Sequence, residues 1–147
     1  MKSVLLTFSF LTLFLFSQGQ TANITLKVTN IKEVKGNINL ALFKSMDGFP
    51  DSDRNFIAKS IPVDAKEFSF IIKDVPADIY AISVYQDLNE DGVLNKNLFG
   101  IPKEPYGFSN NARGKKGPPK FEDAVLQLKY DMETSIKLIH WKRIFIV

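Results

Sequence analysis

The run Asp87-Leu88-Asn89-Glu90-Asp91-Gly92-Val93-Leu94-Asn95 places carboxylate or amide oxygens at alternate residues of a segment bent by a glycine. The spacing is that of the first nine positions of a D-x-[DN]-x-[DN]-G calcium loop. Alternate residues of a tightly wound loop point inward, so Asp87, Asn89 and Asp91 can converge on one hard cation. Val93 would offer its carbonyl, and Asn95 stands at the ninth ligand position. The twelfth position is Leu98, where such loops carry a bidentate Glu. A further carboxylate is therefore required, and Glu90, Asp74, Asp78 and Glu104 are the nearest in sequence. Without a metal the same residues read as an ordinary Asp/Asn/Gly turn. A bound Ca2+ would be structural and would pin the long connection that follows.

Two further groups of residues invite chemistry. Arg113, Lys115 and Lys116 sit among glycines whose freed backbone can form a nest for an anion, although a short charge run more often faces water. Phe99, Tyr106, Phe108 and Phe121 punctuate the same stretch. Exposed, such rings stack on sugars or hold a peptide; buried, they plug the end of a sheet structure, which an ordered long loop favours. Arg113, Lys115, Tyr106 and Phe108 are the candidate ligand-binding residues. His140 is the single histidine, no G-x-S-x-G elbow accompanies it, and it reads as structural or solvent-facing. Glu122 and Asp123, adjacent on an expected strand, would point to opposite faces and could not share a site.

Composition narrows the class. The 147 residues fit one domain, with 45% hydrophobic residues to fill a core. There are 13 Phe and no Cys, so disulfides, thiol catalysis, iron–sulfur clusters and zinc fingers are excluded. Lys2, the apolar run 4–16 and the small residues Ser17 and Gly19 read as a secretory signal over residues 1–19, with the mature domain spanning 20–147. The run is shorter than the roughly 20 residues a membrane span needs, so no stable transmembrane segment is expected after cleavage. Losing that leader removes one Lys from a formal charge of +3, leaving +2, too small a surplus to argue for nucleic acid. An exported location follows: periplasmic, associated with the outer envelope, or secreted.

The elements that must position these residues are strands. Ile24, Leu26 and Val28 alternate with polar neighbours, and Ile38, Leu40 and Leu42 resume the pattern after a turn at 33–37 containing Gly36, which suggests a hairpin. Residues 44–55 read as a surface loop and 56–63 as a strand whose Pro62 suggests an edge or an end. Phe68, Phe70 and Ile72 alternate again, and 79–85 is apolar on both faces, as a central strand would be. Residues 87–120 hold no periodic stretch of useful length, and compact domains seldom carry so long a loop without a use for it. Ala124, Leu126 and Leu128 form a penultimate strand. Residues 135–141 form the last, with Ile136, Leu138 and His140 on one face, and the apolar tail 144–147 extends it or covers an edge. These features predict an all-β, single-domain β-sandwich of about seven strands with Greek-key, prealbumin-like connections and one long ordered loop; periodicity alone leaves an eight-stranded barrel open.

The stretch Tyr80-Ala81-Ile82-Ser83-Val84-Tyr85-Gln86-Asp87, then Asn89-Glu90-Asp91-Gly92, then residues 99–112 from Phe99-Gly100-Ile101-Pro102 to Ser109-Asn110-Asn111-Ala112, resembles the bacterial family of unknown function DUF2141. Gly117-Pro118-Pro119 and Phe121-Glu122-Asp123-Ala124 fit it too. The resemblance is close over the second half of the mature chain and covers the first half by strand pattern. It implies an exported protein with a transthyretin-like or carboxypeptidase-regulatory-like β-sandwich, and it supplies no catalytic residue. The resulting expectation is a non-catalytic exported module that binds a glycan or an envelope protein through the 87–120 loop. The alternatives are a calcium-stabilised accessory domain without a ligand, and a carboxylate-dependent hydrolase for which no nucleophile–base pair is visible.

Overall fold

A computed structural model describes residues 19–50 and 54–141. The expected leader up to residue 18 and the tail 144–147 lie outside the described residues. Period-two alternation sets the architecture. In β1 (Thr21–Thr29) the side chains of Ile24, Leu26 and Val28 are buried, as are Ile38, Leu40 and Leu42 in β2 (Asn37–Phe43). β3 (Ile57–Pro62), β4 (Phe68–Pro76), β5 (Asp78–Asp87), β6 (Tyr106–Phe108), β7 (Val125–Leu128) and β8 (Met132–Lys137) complete the set.

Two open sheets result, and the core lies between them. One has the order β4-β1-β8, with β1 and β8 parallel. In the other, β3, β2 and β5 pair antiparallel, and the far edge of β5 is shared by β7 at its start and β6 near its end. β1 pairs with β4 and β2 with β5, the crossed pairing of a Greek-key sandwich. No helix among the described residues is long and apolar enough to cross a membrane.

The expected β1–β2 hairpin does not form: the strands belong to different sheets, and residues 30–36 cross between them. Alternation shows which face of a strand is buried but not its partner, and β1 is satisfied by the distant β4 and β8. The crossover is held against the end of β5. The buried Gln86 amide donates to the carbonyls of Glu33 and Lys35, each at 2.8 Å. Gly36 has a φ of +67°, and a Cβ there would lie 1.9 Å from the Asp87 carbonyl oxygen.

Three residues within the long loop form β6, one strand more than the seven expected. β6 pairs with β5 on one side, and on the other exchanges backbone hydrogen bonds with Ile139. The last strand therefore ends at Lys137, earlier than the expected 141, because the chain there leaves one sheet to join the other and closes one side of the sandwich. After β6 comes a 3-10 turn, Ser109–Asn111. The buried Ser109 Oγ accepts the Ile82 N–H at 2.9 Å and donates to the Ala124 carbonyl. Asn110 donates to the Val125 carbonyl at 2.8 Å, and the Asn111 side-chain oxygen accepts the Lys137 N–H at 2.8 Å. Both asparagines have a positive φ, a conformation that Asn tolerates better than most side chains. Residues 121–124 form one turn of helix, α1 (Phe121–Ala124), and not the start of a strand. Glu122 and Asp123 are both exposed on it.

Two outcomes check these contacts by denaturant titration. Gly36→Ala, which adds backbone strain and a backbone clash, should cost on the order of 3 kcal/mol. Ser109→Ala strands the buried Ile82 N–H and should cost about 1–3 kcal/mol, and a loss well under that range would show the hydroxyl is not a latch.

Candidate functional site

β5 delivers the Asp/Asn segment. Its last residue, Asp87, is buried, and its carboxylate accepts three hydrogen bonds: from the Asn39 amide at 3.2 Å, the Asp91 N–H at 3.3 Å and the Gly92 N–H at 2.8 Å. Glu90 at φ +60° and Gly92 at φ +79° wind the chain tightly enough to bring those N–H groups back to Asp87. Within the loop, Asp91 Oδ1 accepts the Val93 N–H at 2.9 Å, and Oδ2 accepts the amides of Asn89 at 2.8 Å and Asn95 at 2.9 Å. The Asn95 amide also reaches the Val93 carbonyl at 3.3 Å. Asn89, Asp91, Val93 and Asn95 are thus brought into mutual contact, with Asp87 beneath them. The Tyr85 hydroxyl donates to the Gly92 carbonyl at 2.8 Å.

Electrostatics follow from these partners. The Asn95 amide, then the Val93 N–H and the Asn89 amide, hold the Asp91 carboxyl below the usual carboxylate range. Burial, with the charges of Asp87, Glu104 and Asp91 nearby, pushes the Tyr85 phenol up, so it stays a neutral donor.

Of the four carboxylates considered for closing a metal shell, Glu104 is the one bonded into the loop. It is buried and clasps both ends: Oε1 accepts the Leu88 N–H and Oε2 the Asn95 N–H, each at 2.9 Å. Asp78 instead accepts the Ile79 N–H and faces Lys44 at 3.3 Å, which together hold its carboxyl below the usual range. Asp74 sits in a left-handed turn of β4, its N–H bonded to Asn23. Glu90 is exposed, and so is Leu98 at the twelfth position. Among the described residues no three Asp, Glu or His side chains gather as a metal-ligand group. Oxygen at this loop comes from carboxylates mixed with amides and carbonyls.

The loop's position matters as much as its interior. Residues facing outward from β2, β3, β5 and β6 form two rows across the second sheet: Ser60, Asn39, Tyr85 and Tyr106, then Ala58, Ala41, Ser83 and Phe108. One end of this outer face is covered. There Phe108, Ala81, Ala112 and Ala124 make a second small core, with Phe49, Tyr106 and Phe121 packed on it and ring centroids 5.7–5.9 Å apart. The other end is left open, and the 90–102 and 114–118 segments rise around it to enclose a cleft of about 1200 Å³. Asp87, Gly92 and Val93 line it, so the Asp/Asn loop is one of its walls.

Tyr106, Phe108 and Lys115 line the cleft, whereas Arg113 is exposed and is not among the lining residues. Burial of the loop aromatics holds for Phe108 and partly for Tyr106 and Phe121, but Phe99 is 88% exposed at the cleft rim. Phe99 is carried by a turn whose N–H groups are held by the Asn97 side chain, and that turn projects from the sheet, leaving the ring nothing to pack on. His140 has Nε2 2.6 Å from the Asn30 carbonyl, a bracing contact at the end of the sandwich. Sequence reasoning missed Asn39, which looks like any strand residue, and Ser109, Asn110 and Asn111, whose signal was their place in the family-like stretch.

No curated protein and no solved structure matches the chain. A family model does, over residues 26–137, and it takes in all of β2 to β8 with the end of β1. The chain belongs to the family described as uncharacterized protein conserved in bacteria, DUF2141.

Proposed function

We propose that the protein is an exported, non-catalytic module that binds its partner, a glycan or an envelope protein, in the cleft between the 87–120 loop and the outer face of the second sheet. The observation that carries this reading is the cleft itself. A sheet face left uncovered beside a long, ordered and internally bonded loop is a common way for a rigid scaffold to present a recognition surface. The use of its carboxylates points the same way. Asp87 and Glu104, the buried acids beside the cleft, have their oxygens taken up by Asn39 and backbone N–H groups, which suits architecture better than proton transfer.

Calcium in the 87–95 loop is the second part of the proposal. Asp87, Asn89, Asp91, the Val93 carbonyl and Asn95 are the ligands. The loop is already wound with these groups in contact, and a half-turn of either Asn amide exchanges its NH2 for its oxygen in the same place. The shell lacks the twelfth-position Glu, and both oxygens of Glu104, the acid bonded into the loop, already accept N–H groups, so water in place of a further carboxylate would complete it and affinity would be modest. The ion's task would be to stiffen one wall of the cleft.

Two experiments test the parts separately. A glycan array and a panel of envelope proteins probed with wild type and Ala41→Trp, which fills the cleft floor from the outer face, should show binding that the variant loses at unchanged melting temperature. Equal binding by both removes the cleft from the function. For the metal, thermal unfolding at matched ionic strength should rise by on the order of 10 °C when calcium exceeds Kd about 100-fold. Asp91→Ala should lack that increment, and a wild-type midpoint that is the same in calcium and in EDTA would remove the ion.

A further inference from the structure

We infer that the occupant of the cleft is an acidic oligosaccharide, a short run of sugar rings bearing carboxylates. This rests on the cleft reading above and adds the chemistry of the ligand.

Charge is the first argument. Among the described residues, Lys115 and Lys116 line the cleft on the 114–118 segment, whereas its acids, Asp87 and Glu90 with Asp91 and Glu104 close by, belong to the Asp/Asn wall. Lys96, Lys115 and Lys116 are exposed on the segments that rise around the opening. Attraction from such groups reaches about 8–10 Å in ordinary salt, enough to span a cleft of this size.

The rings are the second argument. Keeping a Phe side chain in water forgoes about 1.5–3 kcal/mol of burial. Phe99 does so at the rim, where Tyr85 and Tyr106 add two half-buried rings to the lining. Aromatic faces pack against the C–H faces of pyranose rings, and a tyrosine adds a polar tip. Between the rings the floor is small or polar: Ala41, Ala58 and Ser83 let a flat ring approach, and the Ser60 hydroxyl and the Asn39 side-chain oxygen can meet sugar hydroxyls, the Asn39 NH2 and the Ser83 hydroxyl being bonded to Asp87 and to the Pro50 carbonyl.

The backbone argues against an extended acidic peptide. β2 and β5, which run through the floor, have strand partners on both sides, so their N–H and C=O groups are spent in the sheet. A peptide lying over β2 and β5 would find no strand edge to pair with; the edge that this sheet keeps is on β3, at the margin of the cleft.

The test is calorimetric titration of the protein with a hyaluronan octasaccharide, a neutral chito-oligosaccharide and poly-L-glutamate. Each is run in calcium and in EDTA, so that loss of wall order is not mistaken for loss of charge. Hyaluronan should bind most tightly and weaken with salt. Lys115→Glu combined with Lys116→Glu should cost about tenfold or more in affinity. Phe99→Ala, on an exposed ring, should cost several-fold at unchanged melting temperature. Equal affinity for the neutral sugar overturns the acidic assignment, and poly-L-glutamate binding that matches hyaluronan and ignores Phe99→Ala overturns the sugar assignment. Failure of wild type to bind hyaluronan overturns both. In each of those cases, any other ligand lost in Ala41→Trp would leave the cleft reading standing, whereas binding untouched by Ala41→Trp would end it.

Discussion

The carboxylate of Asp87 sits out of water at the point where the central strand of one sheet becomes the long loop. A buried carboxylate is tolerable only when donors replace its hydration, and here three do so from two directions. Asn39 reaches from the neighbouring strand and fixes the carboxylate to the sheet, while the N–H groups of Asp91 and Gly92 fold the outgoing chain back onto it. Glu104 repeats the device from further along the chain, accepting N–H groups from either end of the segment. The two acids convert what would be a free excursion into a wall with a fixed place. The crossover before β2 is anchored to the same strand end, through Gln86 and the close approach of Gly36 to the Asp87 carbonyl. Architecture and candidate site therefore share one junction, and a change there would be felt in both.

A second junction lies one strand away. Ser109, Asn110 and Asn111 supply side-chain hydrogen bonds where a regular strand would supply backbone ones, to Ile82 in β5, to Ala124 and Val125 at the α1–β7 boundary, and to Lys137 in β8. These residues lie in the stretch that carries the family resemblance. Their work in this molecule is to buckle the two sheets together along the edge where β6 meets Ile139. A motif rich in Ser and Asn invites a search for catalysis, but here the polar groups point into backbone bonds and are consumed by them.

What was legible in the sequence was what depends on a single strand. Alternation in Ile24-Leu26-Val28, in Ile38-Leu40-Leu42 and in Phe68-Phe70-Ile72 marks strands whichever partner each finds, and apolar residues on both faces of 79–85 mark a central one. Pairing is a relation between distant segments, so the parallel β1–β8 pair was invisible and nearness in sequence suggested a hairpin in its place. β6 spans three residues, fewer than two periods of alternation, and its strand character comes from Ile139 and β5 on its flanks. The oxygen-bearing loop was legible because its residue types repeat at a fixed spacing. The cleft was not, because it is made by the distance between a loop and a sheet face, and Ala41, Ala58 and Ser83 are ordinary strand residues until a wall stands opposite them.

The Asp/Asn loop has two ways to satisfy its oxygens, and the difference between them bears on binding. In the arrangement seen, amide donors from Asn89 and Asn95 crowd the Asp91 carboxylate, so one charge is shared among neutral partners. A hard cation would reverse the polarity of the same contacts, drawing amide oxygens inward and releasing the NH2 groups toward solvent. The backbone N–H groups that bond to Asp87 and Asp91 need not move, because they approach oxygens whose remaining lone pairs point elsewhere. On the proposed reading, a metal would therefore change the stiffness and charge of the wall without redrawing its outline. It would also add positive charge beside a cleft already bordered by lysines, so ion and acidic ligand would favour each other through the shared wall, as two species that bind the same state of a protein must.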